Sequence, residues 1–176
     1  MKAIVCTELG EPKLLEIKEY NKPSISENEV LIKVEAAGVN FPDALLVQGK
    51  YQIVMEPPFI PGNEVCGYIE EIGENVKLPV GTKVIGIPPI GGFAEYVSIN
   101  KNLVIPVNKE FDTLAGASLP INYGTAYYAL KRRAAAKSGE ILLVLGASGG
   151  IGTASIQLAK IMGLKIISAV GSEEKA

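Results

Sequence analysis

Residues 141–152 read Ile-Leu-Leu-Val-Leu-Gly-Ala-Ser-Gly-Gly-Ile-Gly. Ile141–Leu145 is a short continuous apolar run, the pattern of a strand buried in a parallel sheet. The glycines Gly146, Gly149, Gly150 and Gly152 come directly after it, and a stretch of helix-forming residues runs from about Ile151 to Met162. A second apolar run, Leu164–Val170, then completes strand, tight turn, helix and strand. That is one βαβ unit of about 30 residues. Glycines in such a turn let backbone N–H groups approach an anion closely, and the helix N-terminus adds partial positive charge. Gly146, Ser148, Gly149, Gly150, Ile151 and Gly152 are therefore candidate ligands of a dinucleotide pyrophosphate, with a purely structural turn as the alternative.

The residues just after the second strand bear on which dinucleotide is bound. Sites that select NAD place Asp or Glu about 20 residues past the glycines, to accept from the ribose 2′-OH. Here the strand ends at Val170-Gly171-Ser172. Ser172 can donate a hydrogen bond, and Lys175 can pair with a 2′-phosphate as a point charge. Gly171, Ser172 and Lys175 thus point to NADPH rather than NADH. Glu173 and Glu174 lie between them, and equally suit the first turn of a helix.

The first 110 residues are β-rich. Apolar runs at Ala3–Cys6, Leu14–Ile17, Val30–Val34, Val65–Ile72, Lys83–Ile87, Ala94–Ile99 and Leu103–Ile105 are separated by Gly, Pro and Asn. Short strands with frequent turns predict a barrel-like domain. A short helix is expected from Pro42, ending at Gly49, and a longer one over Thr125–Lys137, whose basic Lys131-Arg132-Arg133 suits a helix C-terminus.

Composition narrows the chemistry. The 176 residues are 48% apolar and 20% charged, a globular balance. Seventeen basic against nineteen acidic side chains leave a net charge of −2, with no surplus to neutralise a nucleic-acid backbone. The absence of His removes imidazole acid–base catalysis, His-dependent triads and His-ligated metals. Cys6 and Cys66 alone cannot complete a zinc tetrahedron, and fit a reducing, cytosolic setting. Ile141–Ala159 carries no charge, but its glycines and hydroxyl residues make a poor lipid-facing helix. No secretory leader and no membrane partner are expected.

The turn's spacing also fits Gly-x-x-x-Gly-x-Gly, which resembles short-chain dehydrogenases, but there the motif opens the protein. Several ordered motifs instead resemble the medium-chain dehydrogenase/reductase superfamily. They are Ala37–Asp43, Gly49-Lys50-Tyr51, Pro61–Gly67, Gly91–Tyr96, Gly124–Tyr128, the glycine turn and Val170–Lys175. Within that superfamily the chain is most similar to the zinc-independent quinone oxidoreductases, the zeta-crystallin-like group. The resemblance implies an α/β chain in two parts. Residues 1–122 would be a GroES-like, partly open β-barrel carrying the catalytic and substrate site. Residues 123–176 would be the first βαβ unit of an incomplete Rossmann domain.

By the same resemblance, zinc alcohol dehydrogenases have a Cys ligand near Asn40 and a His ligand near Asn63, so no zinc is expected. Asn40, Asp43, Tyr51 and Thr125 would surround nicotinamide and substrate, with Tyr128 also lining the cleft. Each has a plainer alternative. Asn40 can bridge backbone groups, and Asp43 can cap its helix. Glu64 and Cys66 read as structural, and Tyr127 as core. The implied reaction is metal-independent hydride transfer from NADPH to a quinone or activated enone. Its alternatives are a zinc-free enoyl-thioester reductase and a noncatalytic NADPH-binding module of crystallin-like or regulatory use. Family members run about twice this length, so the chain is expected to be a truncated product or a portion of a longer protein, marginally stable and dependent on the remainder for turnover. The resemblance implies a homodimer for a full-length member.

Overall fold

Apolar runs broken by Gly and Pro become antiparallel strands in the computed structural model, which describes residues 1–175. β1 (Lys2–Val5) pairs with β2 (Glu16–Glu19), Ile4 opposite Ile17. β3 (Glu29–Ala37), β4 (Val65–Ile72), β5 (Lys83–Gly86), β6 (Tyr96–Asn100) and β7 (Val104–Pro106) form one antiparallel sheet in the order β6-β3-β4-β5-β7. Bridges Ala3↔Ala94 and Cys6↔Phe59 tie the β1–β2 hairpin to this part of the chain. The strand expected at Leu14–Ile17 starts later. Pro12–Leu14 is a 3₁₀ turn closed by the Leu15 N–H on the Pro12 carbonyl, as the fixed φ of Pro12 favours.

The inward face of the large sheet is aliphatic. Val30 and Ile32 of β3, Val65 and Ile69 of β4, Val84 of β5, and Val97 and Ile99 of β6 are buried in one cluster. On the opposite face Cys66 and Ile85 meet α2 (Thr113–Ser118) through Ala117. Gly116 brings α2 close, since a Cβ there would stand 2.7 Å from Cys66 Sγ. Cys66 is thus a small apolar residue of the core, and burial pushes its thiol pKa up. The sequence reading missed α2. Asp112 announces it, accepting the Ala115 N–H at 2.7 Å. Between β3 and β4 lies α1 (Phe41–Val47), the short helix expected near Pro42.

The chain divides into two units, one spanning Met1–Ser118 and the other beginning at Leu119. A boundary at 122/123 would cut α3 (Pro120–Tyr127), whose Pro120 occupies the first turn, where its missing N–H costs nothing. The single helix expected over Thr125–Lys137 is therefore shifted and irregular. After α3 the coil widens into a π-helical turn over Tyr128–Arg133, the Ala134 N–H reaching the Ala129 carbonyl at 2.8 Å. Ala135, at φ +49°, ends it before Lys137. Tyr127, read as core, is 49% exposed, because this segment buries Ala126 and Leu130 instead.

In the second unit β8 (Ile141–Leu145) and β9 (Lys165–Ala169) pair in parallel across α4 (Gly150–Ile161). This is the anticipated βαβ unit. Leu142 and Ile166 turn towards the cluster of Leu130, Ala159 and Leu164. The other face is bare: Ile141, Leu143, Leu145 and Ile167 are 68%, 55%, 76% and 55% exposed. Residues 141–159, uncharged throughout, are thus strand, turn and helix, and no helix among the described residues is long and apolar enough to cross a membrane.

Candidate functional site

In the first unit, a cavity of about 200 Å³ opens beside the start of α1. Asn40 caps that helix in extended conformation, and Pro42 in the first turn fixes its direction. Asp43 Oδ2 accepts the Asn40 N–H at 2.7 Å, and the carboxylate also takes the Gly62 N–H. Burial raises the Asp43 pKa, while these two N–H bonds work against that rise. Asp43 therefore caps its helix and also lines the cavity. Tyr51 lines it too, its ring packed on the Cys6, Leu46, Val47 and Phe59 cluster. Pro42, Ile53, Met55, Pro89 and Ile90 make most of the remaining wall apolar.

Asn40 does not line this cavity. Its Nδ2 donates to Glu64 Oε1 at 2.7 Å, and both side chains are buried. Glu64 in turn backs Gly38, where a Cβ would fall within 2.3 Å of Glu64 Oε1. The pair thus holds the β3–α1 connection against β4.

Asn63, which the sequence reading took up only as the residue near a zinc-ligand position and gave no role, belongs to this site. It lines the cavity, and its Oδ1 is sealed from solvent with no hydrogen-bond partner. Such an orphan costs about 1–3 kcal/mol. Nothing in sequence spacing marks Asn63 as a wall residue beside Asp43, because the two come from separate segments. Among the described residues no three His, Cys, Asp or Glu side chains gather in a way that could hold a metal ion.

The second unit has its own crevice, of about 270 Å³, at the carboxyl end of β8 and β9. Gly146 turns the chain at φ +66°, and the Ala147 N–H donates to the Ala169 carbonyl at 3.0 Å. Gly152 lets α4 pack on this turn, since a Cβ there would stand 2.5 Å from the Gly146 carbonyl oxygen. The first-turn N–H groups of Gly150, Ile151 and Gly152 have no acceptor within the helix. Ser148 and Lys175 line the crevice, together with Ser168, which the sequence reading did not single out. Gly171 and Ser172 are exposed beyond β9 and do not line it. Thr125 and Tyr128, three apart, lie on one side of their helical segment, both exposed, Tyr128 by 56%. Tyr123 Oη donates to Gln157 Oε1 at 2.7 Å and locks α3 onto α4. One Tyr-x-x-x-Lys spacing, the pair typical of short-chain dehydrogenases, exists at Tyr127 and Lys131. It precedes the glycine turn and straddles the start of the π-helical turn.

Comparison with known proteins agrees with this architecture. Residues 26–109 match the alcohol dehydrogenase GroES-like domain. A quinone oxidoreductase of Lama guanicoe is 39% identical over 99% of this chain and 54% of its own length. A solved probable oxidoreductase of Mycobacterium abscessus superposes with TM-score 0.94 at 41% identity, over 99% of this chain and 56% of that one. The Thermus thermophilus quinone oxidoreductase, solved also in complex with NADPH, gives TM-score 0.87 at 40% identity, over 99% of this chain and 55% of that one. The chain spans about half the length of the relatives it matches.

Proposed function

From a chain that carries an alcohol dehydrogenase GroES-like domain and is homologous along its length to quinone oxidoreductases, we infer an NADPH-dependent, metal-independent reduction of quinones or related activated enones. The observation that carries this reading is the crevice beside the glycine turn, with Ser148, Ser168 and Lys175 in its lining. Its residues fit NADPH. Gly146 and Gly152 let turn and helix approach closely, and the first turn of α4 offers N–H donors to a pyrophosphate. Lys175 and Ser168 would take the 2′-phosphate; Gly171 and Ser172 would flank the ribose without walling it. Thr125 and Tyr128 are assigned to the nicotinamide end.

When bound, NADPH supplies the hydride. The chain's own contribution is placement and polarity. The apolar wall of the 200 Å³ cavity keeps water from the acceptor, and the Tyr51 hydroxyl donates to the acceptor oxygen as negative charge develops there. Asp43 fixes α1 and with it the cavity mouth. Asn40 acts through Glu64 as a positioning residue. A quinone accepts hydride readily, so this scheme calls on neither zinc nor a strong general acid.

The test is equilibrium binding of NADPH and NADH, followed through nicotinamide fluorescence, with NADPH oxidation at 340 nm against duroquinone and an enoyl-CoA. NADPH binds more tightly than NADH, and Lys175→Ala narrows the gap. Absence of NADPH binding refutes the reading. Faster turnover of the thioester favours an enoyl-thioester reductase, and tight binding with no oxidation by either acceptor, measured on a chain of the relatives' full length, favours a noncatalytic module.

A further inference from the structure

We propose that Asn63 is an acceptor-binding residue of the first-unit cavity, its Nδ2 donating a hydrogen bond to the carbonyl oxygen of a ring-shaped ligand. The proposal rests on the acceptor-pocket reading above and deepens it. Asn63 lines the cavity while its Oδ1 is sealed and unpartnered, so the cavity meets the Nδ2 side of the amide. An aliphatic side chain of equal size would avoid the orphaned oxygen and suit the Pro42 and Ile90 wall.

The backbone around Asn63 is pinned. The Gly62 N–H is taken by Asp43, and the Gly62 carbonyl accepts the Gly92 N–H at 2.9 Å. The Glu64 carbonyl accepts the Gly38 N–H at 3.0 Å. Donors held on a rigid frame need no reorganisation when a ligand arrives. Tyr51 supplies a second donor on the same cavity, so the pocket offers two donors to a ligand oxygen. An apolar cavity of about 150 Å³ holds benzene. The 200 Å³ here admits one substituted six-membered ring, which makes a compact quinone the matching ligand class.

The experiment pairs two ligands with two proteins. Duroquinone carries two carbonyl oxygens; durene is the same tetramethylated ring without them. Binding of each to the 176-residue chain and to Asn63→Leu is followed by NMR titration. Duroquinone affinity falls about 3- to 10-fold in the variant, the range for one neutral hydrogen bond. Durene affinity stays level or rises, and the variant melts no lower than the wild type. Equal changes for both ligands, or none, overturn the role of Asn63 and leave the pocket reading intact. Failure of the wild-type chain to bind either ligand overturns the pocket reading and the proposal together. Should Asn63→Leu fail to fold, the wild-type Asn63 side-chain amide protons decide. A shift with duroquinone and not with durene supports the proposal, and no difference between the two overturns it.

Discussion

Gly152→Ala tests the cofactor reading at its tightest contact. The added Cβ would stand 2.5 Å from the Gly146 carbonyl oxygen and 2.8 Å from both Cα and the carbonyl oxygen of Ala147. Ordinary contact begins near 3.4 Å, so α4 must withdraw by about 0.9 Å, and every atom in its way is backbone. Overpacking of this kind costs about 1–3 kcal/mol. Better helix propensity returns up to about 1 kcal/mol. The net loss of roughly 1 kcal/mol lowers the melting temperature of a unit this small by about 4–8 °C. Binding suffers more. The first-turn N–H groups move out of the 2.7–3.2 Å range with the helix, and one charge-assisted hydrogen bond to phosphate is worth about 1.5–3 kcal/mol. NADPH affinity should therefore fall about 10- to 100-fold, measured by nicotinamide fluorescence well below the melting temperature. A Gly152→Ala chain with wild-type affinity and melting temperature would refute the close approach of helix and turn.

Three further outcomes are open to measurement on the same chain. Gly124→Ala, inside α3 with nothing within 4 Å of the new Cβ, raises stability by about 0.5–1 kcal/mol in thermal melts, and an unchanged or lower melting temperature would count against the helical assignment there. Burial raises the Asp43 pKa, so the folded chain holds that proton more tightly than the unfolded one, and stability drains away as pH climbs through the raised value. Asp43→Asn removes this loss, and urea melts should show the variant gaining on wild type as pH rises above the ordinary carboxylate range; a difference independent of pH contradicts the burial. Cys6 and Cys66 are free, buried and raised in pKa by that burial, so a thiol reagent should label both only on unfolding. Rapid labelling of either in the native chain would contradict its place in the core.

Much of the fold was legible because its signals are local. β8 and β4 occupy the residues their apolar runs mark, and the glycine turn sits between strand and helix as its context required. Helix irregularity was not legible. Pro120 looks like a break until its place in the first turn of α3 is seen, and no residue pattern distinguishes the π-helical turn from an α-helix. The site divides in the same way. Asp43 and Tyr51, named from the family resemblance, line one cavity, but the Asn40–Glu64 bond joins residues 24 apart and depends on β3 and β4 pairing. Asn63 owes its position to a backbone pinned from three sides, which no spacing encodes.

The bare face of β8 and β9 governs how this chain behaves among its own copies. Leu143 and Ile167 stand side by side in the register, flanked by Ile141 and Leu145, and a net charge of −2 supplies little long-range repulsion to keep such surfaces apart. Its colloidal stability therefore depends on solvent more than on fold. Salts that strengthen apolar association should drive it out of solution early, and a dye that fluoresces on wet hydrocarbon should light up on the native chain without any unfolding.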